Sequence, residues 1–456
     1  MTILIKNGTI VNEGQQYRAD LIIEGSHIKD IIPEGIDARY DVGSFSNIID
    51  AEGAYILPGI IDSHVHFREP GLTHKACMQS ESRAAAYGGV TTVFDMPNTL
   101  PQTTTPEALL DKQRMAPSRM HVNYAFFPGA TNDNLDFLRQ LDPHQVPGIK
   151  LFMGSSTGNM LVDHEEALDS IFALAAEKGL TLMAHCEDTH IINHNMQRVK
   201  EELLTDDPPI QYHPYIRSEE ACYRSSALGA RLAHKHGTHF HIAHVTTARE
   251  LSLLGDNVTG EATVAHLLFS KEDYDTKGAL IKCNPSIKTL NDRDALRLAL
   301  QGPSKSQLSI VNSQLSTIGT DHAPHTIEEK QGGCQKAMSG MPMIQFSLPA
   351  MLSLVDKEVL TIQRLVELMA HGPARLFHIK ERGFLRPGYK ADITIVRKGE
   401  PWTVSRDTIQ SQCRWSPLEG KSFNWRITQT LVSGNLIYDN GTFHDTLFGE
   451  HVEFAG

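Results

Sequence analysis

From residue 56 to residue 384 the hydrophobic pattern alternates between two periods. Short apolar runs of strand type cover residues 59–62, 90–94, 122–126, 148–152, 180–184, 239–243, 280–283 and 316–319. Longer stretches of helical period lie between most of them, clearest over 165–178 and 218–236. Eight strand-then-helix units over about 330 residues predict an α/β fold, a (β/α)8 TIM barrel with insertions. The alternative, an open doubly wound sheet, is disfavoured because no Gly-rich nucleotide loop follows the first run. Outside this span the texture changes. Residues 1–55 and 385–456 are rich in short strands and punctuated by Asn7-Gly8, Glu24-Gly25, Glu52-Gly53 and Asn440-Gly441, which read as turns. They predict one small β-sandwich domain built from both chain termini, beside a catalytic barrel over residues 56–384.

Composition narrows the function classes. The chain of 456 residues is 40% hydrophobic and 21% charged, enough for one large core and a smaller appendage. A net charge of −12 argues against nucleic acid as a partner, because phosphate binding needs a basic surface. No run approaches the ~18 apolar residues of a membrane span. Met1-Thr2-Ile3-Leu4-Ile5-Lys6 lacks the charged start and apolar run of a signal peptide. The six cysteines stand singly, which predicts reduced thiols and a cytoplasmic setting. A small molecule is the expected partner. The 23 histidines point to metal or acid–base chemistry.

The candidate chemistry sits at the ends of the apolar runs, which in a TIM barrel form the active-site face. The first ends Asp62-Ser63-His64-Val65-His66, and strand alternation puts His64 and His66 on one side. Alone, His-x-His is equally a structural pair. Gly148-Ile149-Lys150-Leu151-Phe152 carries a lysine inside an apolar strand. That lysine is either a surface group on an edge strand or a buried amine of lowered pKa. A neutral amine there takes up CO₂ to give a carbamate, an anionic oxygen ligand able to bridge two metals. The fifth run ends Ala184-His185-Cys186-Glu187, the sixth Ala243-His244, and the eighth Gly319-Thr320-Asp321-His322-Ala323-Pro324-His325. Each alone is compatible with a satisfied core residue; packing does not explain so many together. His64, His66, Lys150, His185, His244 and Asp321 are therefore the expected metal ligands, a nitrogen and oxygen set suited to two divalent ions such as Zn²⁺. His234 and His236 read as solvated residues at a helix end. His241, whose parity is opposite to that of His244, should face the helices and is the second choice of ligand.

These motifs, taken in order, resemble the dihydroorotases of the amidohydrolase superfamily, the cyclic amidohydrolases, over nearly the whole chain. The resemblance rests on Leu57-Pro58-Gly59-Ile60-Ile61-Asp62-Ser63-His64-Val65-His66, its extension Phe67-Arg68-Glu69-Pro70-Gly71, and Asp95-Met96-Pro97-Asn98-Thr99. It also rests on the lysine strand, the Asp321 motif, and Gly383-Phe384-Leu385-Arg386-Pro387-Gly388 leading back to the small domain. It implies the reversible interconversion of L-dihydroorotate and N-carbamoyl-L-aspartate in pyrimidine synthesis, a carboxylated Lys150 between two metals, and Asp321 as general base and then acid. It further implies that Arg68 and Asn98 hold the substrate carboxylate, that Asn284 and His325 contact the ring, and that the chain assembles as a homo-oligomer, for instance a dimer. Arg68 two places after His66 suits bidentate carboxylate capture; the alternative is a surface salt bridge to Glu69 or Glu81.

Two loops depart from the pattern. Asn284-Pro285-Ser286-Ile287-Lys288 stands where many dihydroorotases carry two prolines and an arginine, and Met338-Ser339-Gly340 where they often read Pro-Phe-Gly. Ring contacts from Ser339 and Gly340 do not follow from the resemblance. The rival readings are another cyclic amidase, an allantoinase or dihydropyrimidinase, and a non-catalytic scaffold subunit. The full ligand set counts against the scaffold.

Overall fold

The computed structural model describes residues 2–36, 40–154, 160–301 and 315–456. The chain opens with β1 (Thr2–Asn12), β2 (Gln15–Glu24), β3 (His27–Pro33), β4 (Asn47–Asp50) and β5 (Tyr55–Pro58). It returns to the same sheet near its end with β14 (Ile393–Thr403), β15 (Ser422–Val432), β16 (Asn435–Asp439) and β17 (Thr442–Phe443). Among the described residues these nine strands form one sheet in the order β17-β16-β15-β14-β5-β1-β2-β3, with β4 branching off β1. The two termini thus share a single ladder where β5 pairs antiparallel with β14, Ile56 opposite Ile395. The sheet has its own core, including Ile3, Ile10, Leu21, Ile56, Ile393 and Leu431. Asn7-Gly8 makes no turn. It is a bulge inside β1, where Asn7 has φ 64° and a Cβ on Gly8 would meet the Ile56 Cδ1 at 2.4 Å.

Eight parallel strands follow among the described residues: β6 (Ile60–Val65), β7 (Val90–Asp95), β8 (Asn123–Phe126), β9 (Ile149–Phe152), β10 (Leu182–His185), β11 (Phe240–Ile242), β12 (Val258–Thr263) and β13 (Thr317–Gly319). They form arcs of three and five strands. Parallel bridges Gly129↔Lys150 and Val65↔His322 join the arcs into a closed barrel. Gly59 marks the passage from sheet to barrel: a Cβ there would lie 2.1 Å from Thr91 Oγ1. The helices match their patterns. Glu165–Glu177 buries Leu168, Ile171, Phe172 and Ala175, a spacing of three and four. Glu219–His236 starts where the Ser218 hydroxyl accepts from the Ala221 N–H and ends at left-handed Gly237, φ 73°.

The seventh strand is not where the apolar run 280–283 suggests. Residues Gly278–Ile281 form a 3-10 turn, and Lys282 continues as a loop whose ammonium donates to the Cys334 and Ala337 carbonyls. The true strand, β12, reads Val258-Thr259-Gly260-Glu261-Ala262-Thr263, with glycine and glutamate where a strand pattern wants apolar or β-branched residues. Its Gly260 is needed because a Cβ would press on Leu254 and Val245 at 2.9–3.0 Å. Inside the barrel, the lower layers are apolar: Ile61, Phe94, Phe127, Met183 and Ala243 pack with Phe377, Val452 and Phe454. Above this plug, the C-terminal mouth of the barrel carries the cluster of candidate ligands. No helix among the described residues is long and apolar enough to cross a membrane, and all six cysteines are free.

Candidate active site

All ten residues singled out from the sequence line one cavity of about 610 Å³ at that mouth: His64, His66, Lys150, His185, His244 and Asp321 on its floor, and Arg68, Asn98, Asn284 and His325 above them. The floor is compact. Donor atoms of His64, His244 and Asp321 lie within 4.8 Å of one another. Asp321 Oδ1 faces His66 Nε2 at 3.0 Å and His64 Nε2 at 3.4 Å. His185 Nδ1 faces His244 Nε2 at 3.0 Å, and Lys150 Nζ stands 3.5 Å from His64 Nε2. Two subsets emerge, His64–His66–Asp321 and His185–His244, with Lys150 at the fully buried edge of the first.

The backbone turns sharply to achieve this. Arg68, His244 and Asp321 have φ of 66°, 39° and 48°, a left-handed conformation that costs a non-glycine residue about 1 kcal/mol or more and clusters at functional sites. It also overturns the parity expected for His241. Phe240 and Ile242 face the helices, His241 points into the barrel, and the left-handed turn at His244 brings that side chain inward as well. His241 sits a layer below the cluster, held by Thr259 Oγ1 at 2.8 Å and Thr317 Oγ1 at 3.3 Å. His234 and His236 lie outside the site, on Asn257 and Asp169.

Burial sets the protonation. It pulls His64 down to about 3, with Lys150 adding to the effect, and His66 to about 4 against the opposing pull of Asp321. His244 is held well below the ordinary histidine value for the same reason. The imidazoles therefore offer lone pairs rather than charges, as metal ligation requires. Burial lowers Lys150 to about 8, against the carboxylates of Glu261 and Asp321. Burial pushes the Asp321 carboxyl up, but the facing His64 and His66 outweigh it and hold it below the usual carboxylate range. Four imidazoles, with His64, His66 and His244 held neutral by burial, and an ionised carboxylate converging at contact distance are a donor set that fits divalent metal.

A second tier of carboxylates and amides orients these imidazoles. Glu261 Oε1 accepts from His64 Nδ1 at 2.8 Å, Glu187 Oε2 from His185 Nε2 at 2.9 Å, and Asn98 Oδ1 from His66 Nδ1 at 2.7 Å. Glu187 is itself paired with Arg217. The sequence reading assigned neither glutamate. Glu187 was visible two places after His185; Glu261 was hidden by the misplaced seventh strand.

Above the floor, Arg68 is buried, with Nε donating to the Pro324 carbonyl at 3.1 Å, and among the described residues it makes no ion pair. Glu69 and Glu81, the alternative partners, go elsewhere, Glu69 to Arg119 and Glu81 to His322. His325 lies between Arg68 Nη2 at 3.1 Å and Lys75 Nζ at 3.2 Å. Nδ1 also lies 3.2 Å from Glu329 Oε2, and Nε2 3.0 Å from the Ser339 carbonyl, so each ring nitrogen faces one donor and one acceptor. Among the described residues no carboxylate pairs with the Arg68 fork. Asn284 Oδ1 is likewise buried without a hydrogen-bond partner. The divergent loop is fixed from beneath, Lys330 Nζ donating to the carbonyls of Lys282, Met338 and Gly340 at 2.7–2.9 Å.

With this geometry in view, comparison with known proteins becomes decisive. The amidohydrolase family profile matches residues 55–437. This chain belongs to the amidohydrolase family. The amidohydrolase is 30% identical over 433 residues to a dihydroorotase of Methanosphaera stadtmanae, covering 93% of this chain and 94% of that one. It is 32% identical over 456 residues to a dihydroorotase of Lactiplantibacillus plantarum, covering 97% and 100%. Among solved structures it superposes on the L-hydantoinase (dihydropyrimidinase) from Arthrobacter aurescens with a TM-score of 0.90, 26% identity and 99% coverage of both chains. The dihydropyrimidinase from Brevibacillus agri, at 24% identity and a TM-score of 0.88 over 100% of both chains, shares the fold. The TIM barrel with its separate sheet is thus the architecture of this amidohydrolase.

Proposed function

We propose that the chain is a dihydroorotase, interconverting L-dihydroorotate and N-carbamoyl-L-aspartate. The observation that carries this reading is the buried Arg68 guanidinium, which lines the cavity beside the candidate ligands and, among the described residues, pairs with no carboxylate. A buried cation without a counter-charge is costly, and a substrate carboxylate offsets that cost through a bidentate fork. The near full-length similarity to dihydroorotases supports the same substrate.

His64, His66, His185, His244 and Asp321 would hold two divalent ions, zinc in our reading, with Lys150 carboxylated on Nζ as the shared anionic ligand. Bound there, such ions lower the pKa of water and polarise the ring amide carbonyl. The residues of the chain do the rest. Arg68 and the Asn98 amide nitrogen, whose oxygen partner is already committed to His66, anchor the ring carboxylate. His325, within 3.1 Å of Arg68 Nη2, lines the same corner and contacts the ring. The orphaned Asn284 Oδ1 accepts a ring N–H. Asp321, ionised and facing the reacting carbon from the floor, takes the proton of the attacking water on its carboxylate and returns it to the leaving ring nitrogen. Holding the ring in this pose makes the attack effectively unimolecular.

Removing the anchor should show in binding first. Arg68→Ala is expected to raise KM for dihydroorotate by about ten- to hundredfold, the worth of a charge-assisted hydrogen-bond pair, with metal content unchanged. Steady-state kinetics with unaltered KM would take Arg68 out of the site. A substrate panel separates the second reading, which the L-hydantoinase similarity favours: turnover of hydantoin or dihydrouracil in preference to dihydroorotate would move the chain to the hydantoinases. Elemental analysis of freshly purified protein should find about two divalent ions per chain, since six donors exceed the needs of one tetrahedral site; full activity with a single ion would refute the binuclear reading.

A further inference from the structure

The reaction proposed above gives no step to Glu261, a wholly buried carboxylate at the barrel mouth. Glu261 lies on β12, a barrel strand that supplies none of the six candidate ligands. We propose that Glu261 is a positioning residue that ties the two metal positions together. This inference rests on the two-metal reading.

A single oxygen, Oε1, accepts from His64 Nδ1 at 2.8 Å and from the backbone N–H of His244 at 3.2 Å. His64 belongs to the subset facing Asp321, and His244 to the subset facing His185. One carboxylate therefore reaches a ligand of each. On His64 the bond fixes the tautomer: a proton on Nδ1 leaves the Nε2 lone pair directed at the floor, where it must be to ligate. On His244 it secures a residue in the left-handed conformation, φ 39°, and this conformation aims its Nε2 at His185.

The carboxylate is also caged. A Cβ on Gly319 of the neighbouring β13 would lie 2.3 Å from Glu261 Oε2, so the absence of a side chain there gives the second oxygen its room. That oxygen has no hydrogen-bond partner. The room left at Gly319 thus keeps the carboxyl in the one pose that lets Oε1 reach both His64 and His244.

The test compares wild type with Glu261→Gln, which keeps an acceptor oxygen in a side chain of the same length, and with Glu261→Ala, which loses it. Each protein is loaded with cobalt(II), its ions per chain are counted after dialysis against a graded chelator, and its visible absorption and melting curve are recorded. The expected result is a ten- to hundredfold weaker retention of cobalt in Glu261→Ala, a smaller loss in Glu261→Gln, and a shifted cobalt spectrum in both at near-wild-type melting temperature. A merely structural role would move the melting curve and leave the spectrum of the loaded protein alone. If Glu261→Ala does not fold, Glu261→Gln decides by the same two readings. Wild type holding two ions, with folded variants matching it in retention and spectrum, overturns the inference alone. Wild type holding a single ion overturns the two-metal reading and the inference with it.

Discussion

Lys150→Ala is expected to lower dihydroorotate turnover by about 10³-fold or more and to leave fewer than two divalent ions per chain. The reason lies in where the lysine ends. Its side chain is fully buried and its Nζ stands 3.5 Å from His64 Nε2, the atom of that imidazole turned to the metal-ligand cluster. An ammonium there has no lone pair to offer and would repel any cation placed beside it. The amine is already loosened: burial brings its pKa down to about 8, so a usable fraction is neutral near physiological pH. Addition of CO₂ to the neutral amine, with loss of one proton, turns the obstacle into a ligand with two oxygens and a negative charge. Metal and carbamate then stabilise each other. Losing the shared ligand removes several kcal/mol of electrostatic stabilisation, and about 1.4 kcal/mol is tenfold in rate. A short carboxylic acid such as propionate, added to the variant, should restore part of both the metal content and the activity by occupying the vacated space. A variant that keeps wild-type turnover and both ions would show that Lys150 is no ligand.

The floor of the site was legible because its residue types contradict their surroundings. His64, His66, Lys150, His185 and His244 interrupt or terminate apolar runs, and burying each has a cost that only a function or a partner explains. Asp321 followed from the same rule. Arg68 was legible for its type and its place after His66. What escaped detection depended on contacts between distant segments. β12 carries Gly260 and Glu261, so its sequence does not look like a strand; its glutamate is tolerated only because His64, from residue positions far away in the chain, donates to it. The run 280–283 looks like a strand but contains Lys282, whose ammonium reaches the carbonyls of Cys334 and Ala337. The error over His241 has a local cause. Alternation predicts side-chain direction only while the backbone stays extended, and it fails at His244, where φ turns positive. The double role of Asn98, its oxygen on His66 and its nitrogen free for a ligand, needs coordinates to be seen.

The companion expectation concerns Asp321. Asp321→Asn should reduce kcat by about 10²- to 10⁴-fold, the usual worth of a positioned proton acceptor and donor, while KM changes little. The substitution keeps size, shape and a carbonyl-type oxygen able to face His66 Nε2, now 3.0 Å from Asp321 Oδ1. What it removes is basicity. In the native residue His64 and His66 outweigh the effect of burial and keep the carboxyl ionised across the working range, so the group is ready to accept a proton without first losing one. An amide accepts none, and the ring nitrogen then leaves without a donor. Arg68, at the other end of the cavity, still anchors the substrate carboxylate, which is why binding should survive. The decisive measurement is steady-state kinetics in both directions, alongside metal analysis of the same preparation. A fall in kcat with two ions retained assigns the proton transfer to Asp321. Loss of an ion would instead mean that its oxygen serves first as a ligand, and the variant would then report on the metal rather than the proton. A variant with both ions bound and kcat within a fewfold of wild type would exclude Asp321 as the general base, because no change in ground-state binding conceals the loss of an obligatory proton acceptor.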